Sequence, residues 1–344
     1  MESTKYNLGN LPPKVRKIFL NNYILENRDD YRASRVSAVG LFEATEKIKP
    51  KVKTAGIIWA TDNYEVDGKN GFFDEIPNSV KVLKQIIPRV EKSKEIQKLR
   101  TKQKAEVFTP SWVANMQNNM VDDHIFGSKG VFNTEDYESR SWVGTIDPIV
   151  FPDEVYPDGW IEYVVERRLE ITCGEAPYLV SRYDTVTGDY IPVRGPNGEW
   201  QRIGLLDRKL RVVSEHCPTE DVWLEAAYIA MENTNGYEWQ GDSLLLARLN
   251  MLNTIVDYHA ELFDTDLTDE YVLRIAKLIS WSIWQMDGLK GVAPESCSPE
   301  CGPCNKAKKV YFHDGIVPVI SWHDEEKVPF EVIMESFLES RVGQ

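Results

Sequence analysis

RLEITCGEAPYLVSRYD, residues 168–184, is the stretch on which the fold class turns. Its apolar start, Leu169 to Ile171, reads as a short strand, and the Cys173-Gly174 pair reads as the turn that ends it. Glu170 then sits near the strand's carboxyl end. In open α/β sheets that edge is where ligands bind. Gly174 allows a backbone path that a side chain would block. The same spacing also suits an ordinary strand and turn, and Cys173 by itself adds little.

Outward from this stretch, 160–167 reads as a short helix, and 126–160 as a loop rich in Gly, Pro and Asp. Residues 184–200 read as a turn-rich insertion with a hairpin. Residues 222–231 read as a helix ended by Asn235 and Gly236. A short strand is expected at 237–239, and 243–263 is the clearest amphipathic helix. A further helix spans about 268–279, and a strand follows at 281–285. Strands alternating with helices predict an α/β core.

Bulk composition agrees with a folded chain. The 344 residues are 42% hydrophobic and include ten Trp, enough for a substantial core. The net charge of -14 disfavours non-specific nucleic-acid binding, so any such contact needs a local basic patch or a partner. No run is apolar and long enough to span a membrane, and no signal peptide is evident. Five Cys, with Cys173 and Cys217 isolated, do not make a secreted disulfide framework. The expectation is a cytoplasmic protein.

The first hundred residues read as a mixed, mostly helical region. Within it, KVKTAGIIWATDNY (51–64) contains a strand-like core at 55–60. Between Arg89 and Lys104, seven Lys or Arg face two Glu. That is a solvated helix face or a phosphate-contacting patch. In AEVFTPSWVANMQNNMVDD (105–123), Thr109 or Ser111 could cap a helix, and Pro110 suits its start. Val113, Met116, Met120 and Val121 then fall near one face.

Two more acids sit where strands end. Glu238 follows a short apolar run and could accept two hydroxyl hydrogen bonds from a ribose. It could equally be a solvent-facing acid before a helix capped by Asp242 or Ser243. Asp287, in ISWSIWQMDGL (279–289), could accept the amino group of a purine, with Trp284 or Met286 as an apolar wall or as plain core. Cys297, Cys301 and Cys304, with His313 downstream, are a candidate zinc set. The alternative is a Gly/Pro turn carrying reduced thiols. There is no G-x-S-x-G elbow, no phosphate-binding loop and no paired-acid nuclease motif.

Taken together and in this order, these pieces resemble the Eco57I-like family of adenine-specific DNA methyltransferases from restriction-modification systems. KAEVFTPSWVANMQNNMVD (104–122) resembles the family's first motif, which packs over the methionine end of S-adenosyl-L-methionine and would assign Phe108, Thr109 and Pro110 to the cofactor. LEITCGEAPYL (169–179) resembles the next motif, an acid followed by x-x-C-G-x-G. It matches at Glu170, Cys173 and Gly174, with Ala176 in the second glycine position. GYEWQGDSLLLARLNML (236–252) resembles the segment whose acid holds the ribose, here Glu238. IWQMDGL (283–289) resembles the adenine-contacting segment, here Asp287. The resemblance covers about residues 50–340 and includes the lead-in from Lys94.

One departure is decisive for function. The family's catalytic tetrapeptide, Asn-Pro-Pro-Tyr, does not occur; the Pro-Pro of this chain is Pro12-Pro13, in an unrelated context. The sequence reaches Gln344 about where the strand carrying that motif is expected. The resemblance therefore implies an incomplete Rossmann-like methyltransferase core with no catalytic residue of its own. It would occupy 101–290 with an insertion at 184–215, between an N-terminal region (1–100) and a Cys-rich segment (291–344). The implied cofactors are S-adenosyl-L-methionine and, at the cysteines, Zn2+. The implied partners are double-stranded DNA, reached through a complex, and a second chain supplying the adenine pocket and target recognition; no membrane is implied. Three readings stay open: a half-enzyme, an inactive interaction or regulatory protein, and a self-sufficient enzyme with an unusual pocket.

Overall fold

Helix and strand order follow the alternation of apolar periods along the chain. The computed structural model describes residues 5–25, 52–61, 63–66, 69–72, 74–104, 106, 109–289, 293–294, 318–321 and 326–329. In chain order the elements are α1 (Pro13–Phe19), β1 (Asn21–Leu25), β2 (Val52–Gly56), β3 (Glu65–Val66), β4 (Lys69–Asn70) and α2 (Val80–Leu83). A 3-10 turn at Arg89–Glu91 precedes α3 (Lys94–Lys104) and α4 (Ser111–Phe126). Then come β5 (Asn133–Asp136), β6 (Ser141–Gly144), α5 (Trp160–Val165), β7 (Arg168–Ile171), α6 (Leu205–His216) and α7 (Glu220–Glu232). The last are β8 (Thr234–Glu238), α8 (Gly241–Phe263), α9 (Asp269–Ser282), β9 (Ile283–Gln285), β10 (Pro318–Ser321) and β11 (Glu326–Pro329). The fold is mixed α/β.

Strands β7, β8 and β9 form one sheet in that order. Arg168 N–H donates to Asn233 O at 2.9 Å where β7 and β8 begin, and Met286 N–H donates to Glu238 O at 3.0 Å where β8 and β9 end. Starts lie beside starts and ends beside ends, so the three strands run parallel. Parallel strands need long crossovers. Here these are α6 with α7, and α8 with α9. Two-stranded antiparallel ladders, β1-β2, β3-β4, β5-β6 and β10-β11, make up the other sheets.

By packing, the chain divides into two units. The first comprises Met1–Phe19, Pro77–Gly236 and Asp242–Ile283; the second comprises Leu20–Ile76, Tyr237–Gly241 and Trp284–Gln344.

The first unit is built around α8. Residues 241–256 are all buried, so this helix is enclosed and not amphipathic as its sequence pattern suggested. Its polar residues are satisfied inside. Arg248, fully buried, donates to the carbonyls of Phe19 at 2.6 Å, Ile283 at 2.7 Å and Ser280 at 3.3 Å, where α1 and α9 end. Those carbonyls lack partners within their own helices, which is what an arginine supplies. Helix α6, at the far end of the stretch read as an insertion, is equally enclosed. Asp207, Arg208, Lys209 and Arg211 are each no more than 2% exposed.

Two of these charges tie elements together. Arg208 meets Asp122 of α4 at 2.5 Å, and Asp122 also takes Arg168 of β7 at 3.1 Å. Lys209 Nζ donates to the carbonyls of Glu166 and Asn233, just before β7 and β8. Burial drives the ammonium of Lys209 well below the usual lysine range.

Helix ends differ from the sequence reading in three places. Helix α7 stops at Glu232, and Asn235 and Gly236 lie inside β8. Gly236 is there for closeness: a Cβ would stand 3.0 Å from Cys173 Sγ and from Leu179. Helix α8 starts at Gly241, which places Asp242 in its first turn and not before it. Helix α4 starts at Ser111 with no side-chain cap from its own N-cap residue, Pro110.

Candidate functional site

In the first unit, the loop after β7 has an unusual backbone. Thr172, Gly174 and Ala176 have φ of 61°, 56° and 68°. Only glycine adopts this left-handed region freely, and a β-branched residue such as Thr is a true outlier there. Ala176 thus occupies the conformation that a second glycine would take without cost. Such strain clusters at ligand-binding places. A Cβ on Gly174 would meet nothing within 4 Å, so the glycine serves the backbone path and the space over it is open.

Beneath the loop lies a polar cluster that the sequence reading missed. Glu175 is 2% exposed; it accepts the Arg89 N–H at 2.7 Å and the Tyr183 hydroxyl at 2.6 Å. Asn250 of α8 donates to Glu175 O at 2.9 Å and to Tyr183 Oη at 3.1 Å. Burial pushes the Glu175 carboxyl up, against the pull of the Tyr183 hydroxyl and the Lys92 charge. The signal available in sequence was an acid between Gly174 and an Ala-Pro pair, too common to single out.

Thr109 and Ser111 are bound to the same stretch. Thr109 accepts the Tyr178 hydroxyl on its own hydroxyl at 3.4 Å, and Thr185 Oγ1 on its carbonyl at 2.9 Å. Asp184 accepts the Ser111 N–H at 2.7 Å. Thr109 and Pro110 are therefore held against residues 178–185, in one unit with Glu170, Cys173 and Gly174. Glu170 is half-buried. Cys173 is 1% exposed and packs under Gly236, so its sulfur faces the interior. Phe108 lies outside the described residues.

In the second unit, Glu238 and Asp287 come at neighbouring strand ends, joined by the Met286–Glu238 backbone bond. Glu238 is 7% exposed, and its carboxylate accepts the Gln240 N–H at 2.9 Å. Asp287 accepts the Leu289 N–H at 3.0 Å. Gln285 was missed by sequence reasoning. Its Oε1 accepts the Ile58 N–H at 2.9 Å, and its Nε2 donates to Ile58 O at 2.7 Å and Trp239 O at 2.9 Å. This amide clips the 57–60 segment onto the strand ends. Gly241 completes the join, because a Cβ there would stand 2.0 Å from Ile58 O. Trp284 and Met286 are at most 1% exposed and belong to the core.

The basic segment is less of a patch than its composition suggested. Arg100 is 1% exposed and pairs with Glu106 at 2.7 Å and Asp242 at 2.9 Å. Lys92 reaches Asp242 at 3.5 Å. What faces solvent on α3 is Lys94, Lys98 and Lys102, a stripe at helical spacing.

Cys297, Cys301, Cys304 and His313 lie outside the described residues. Among the described residues, no group of three or more His, Cys, Asp or Glu is placed to hold a metal ion, and Cys173 and Cys217 are both buried. No described helix is long and apolar enough to cross a membrane. No protein-family model, no curated protein and no solved structure matches the chain.

Proposed function

We propose that this chain is the S-adenosyl-L-methionine-binding part of an adenine-specific DNA methyltransferase, with an incomplete Rossmann-like core that a second polypeptide completes. The observation that carries the reading is the strained loop at Thr172–Gly174–Ala176. It follows the carboxyl end of a parallel strand, where ligands bind in open α/β sheets, and its left-handed backbone supports the reading of a ligand-binding turn.

Each residue has a stated task. Glu238, at the end of β8, would accept hydrogen bonds from ribose hydroxyls. Asp287 accepts from the adenine amino group. The open space over Gly174 lets backbone approach the methionine part. When bound, S-adenosyl-L-methionine supplies an electrophilic methyl on a sulfonium. Adenine N6 is a poor nucleophile and needs acceptors that orient its amino group, and the Asn-Pro-Pro-Tyr that serves this purpose in the family is absent from these residues. A partner would supply it. Among the described residues β7 is the edge strand of its sheet, and a backbone edge of that kind can take a further strand. DNA would be reached through the complex, with Lys94, Lys98 and Lys102 as a local contact.

A second reading is an inactive, methyltransferase-like interaction protein. It is favoured by one observation: the carboxylates of Glu238 and Asp287 already close local turns with Gln240 and Leu289.

Calorimetric titration with S-adenosyl-L-methionine separates the two. The first reading expects micromolar binding that Asp287→Ala and Glu238→Ala each abolish. Absence of binding at millimolar ligand would leave the interaction protein.

A further inference from the structure

A cleft of about 520 Å3 opens in the first unit between the outer face of α4 and strand β5. Its size is in the range of small-ligand sites, roughly 300–1,000 Å3. Nothing in the methyltransferase reading uses it.

Its helix wall carries Met116, Met120 and Asp123; Glu135 of β5 and Tyr137 of the turn after it line the opposite wall. Met120 is 66% exposed and Tyr137 65% exposed, high values for side chains of this kind. Both carboxylates are fixed from one side. Glu135 accepts Asn119 Nδ2 at 2.6 Å and is hydrogen-bonded by the Tyr137 hydroxyl, while Asp123 accepts the Gly130 N–H at 3.2 Å. Their remaining lone pairs have room toward the cleft. Burial and then the charge of Glu135 push the Asp123 carboxyl up, although the Gly130 N–H, Arg208 and Lys129 oppose this. Two acids thus face one lysine, Lys129, in the lining.

Outside the cleft's lining, the same helix already carries one guanidinium over an aromatic ring. Arg140, in the β5–β6 turn, lies over the ring of Trp112 at 5.5 Å. Trp112, Met116 and Met120 are spaced four apart and form one stripe of α4. A turn or two further along, that stripe offers thioethers as a shelf for an aliphatic arm, the Tyr137 ring for a cation–π contact and the two carboxylates for charge.

We propose that the α4–β5 cleft binds a guanidinium group on an aliphatic arm, as an arginine side chain presents it. The source is either free arginine or an arginine of a polypeptide. The two differ at the backbone: free arginine carries an α-ammonium and an α-carboxylate where a chain arginine has two amides.

The probe is N-acetyl-arginine amide, titrated calorimetrically into the full chain beside L-arginine and N-acetyl-norleucine amide. The expected result is saturable binding of the arginine amide, none of the norleucine amide, and weakening of roughly tenfold in Glu135→Gln, about 1.4 kcal/mol. Binding weakens with salt. L-arginine binding as tightly assigns the cleft to the free amino acid; weaker binding assigns it to a polypeptide. Should Glu135→Gln fail to fold by circular dichroism, Asp123→Asn, which keeps the Gly130 bond, replaces it. No saturable binding of the arginine amide, equal binding of the norleucine amide, or unchanged affinity in a folded carboxamide variant overturns the proposal.

Discussion

Asp184 Oδ2 accepts the backbone N–H of Ser111 at 2.7 Å, so the last residue of the 168–184 stretch caps helix α4. Its other oxygen accepts the N–H groups of Val186 and Thr187, each at 2.8 Å. One carboxylate therefore holds a helix start and a turn. Asp184→Ala is expected to cost about 1–2 kcal/mol, the usual value of a lost cap. Burial alone would raise this carboxyl, but the N–H groups of Ser111, Thr187 and Val186 outweigh it and hold it below the ordinary range. A depressed carboxyl stabilises the folded chain above its unfolded pKa, about 3.9, and that contribution is lost as pH falls through the folded value. Urea unfolding of wild type and variant should show a gap at pH 7 that narrows on acidification. A gap independent of pH would assign the loss to packing.

Gly174 and Gly241 are expected to respond differently to the same added methyl. At Gly174 the Cβ meets nothing, so Gly174→Ala costs only the left-handed backbone, roughly 1–2 kcal/mol. At Gly241 the Cβ falls 2.0 Å from a backbone oxygen, so Gly241→Ala must displace the 57–60 segment. Hydrogen exchange reads the difference. Gly174→Ala should keep the protection of Ile58, whereas Gly241→Ala should lose it. Equal protection in both variants would mean that the segment is not seated by this contact.

Much of this architecture could be read in the sequence because it depends on local period. The strands β7, β8 and β9 and the helices α7, α8 and α9 follow from apolar runs and their breaks, whereas α6 lies in the stretch read as an insertion. What was hidden depends on partners far apart in the chain. Helix α8 looked amphipathic because Arg248 and Asn250 look polar; inside the fold, Arg248 serves carbonyls of Phe19 and Ile283. Gly236 looked like a helix stop because glycine favours that place, whereas here close packing against Cys173 requires it. The basic segment looked exposed because charge density says nothing of pairing, and Asp242, which pairs with Arg100, is far away in sequence. Glu238 and Asp287 stand out in the sequence as acids at strand ends, while Glu175 and Gln285 carry no local mark.

Glu175 gives a pH signature opposite to that of Asp184. Burial raises its carboxyl in the folded chain, so its contribution is complete below the unfolded glutamate pKa, about 4.3, and declines as pH rises through the folded value. Glu175→Gln removes the charge and keeps an acceptor for Arg89 or Tyr183. The variant should gain on wild type as pH rises from 4 toward 7 in chemical denaturation, with a small difference at the acid end. A variant that loses ground over this interval would show that the ionised carboxylate stabilises the cluster.

Asp122 carries the largest expected loss. It is 1% exposed and faces Arg208 at 2.5 Å, Arg168 at 3.1 Å and the Tyr163 hydroxyl at 3.3 Å. Removing it strands charge in the interior, because Arg208 is itself 1% exposed. Breaking a buried pair from one side typically costs about 3–5 kcal/mol. Arg208 keeps its bonds to Asn119 at 2.5 Å and Asn115 at 3.2 Å, and Arg168 keeps Glu166 at 2.9 Å, so the loss for Asp122→Ala should lie toward the lower end. Asp122→Asn retains an acceptor and should lose less. The two variants, compared by equilibrium unfolding, separate charge from hydrogen bonding: similar losses would assign the role to charge, and a milder loss for the amide to the hydrogen bonds that fix α4 to β7.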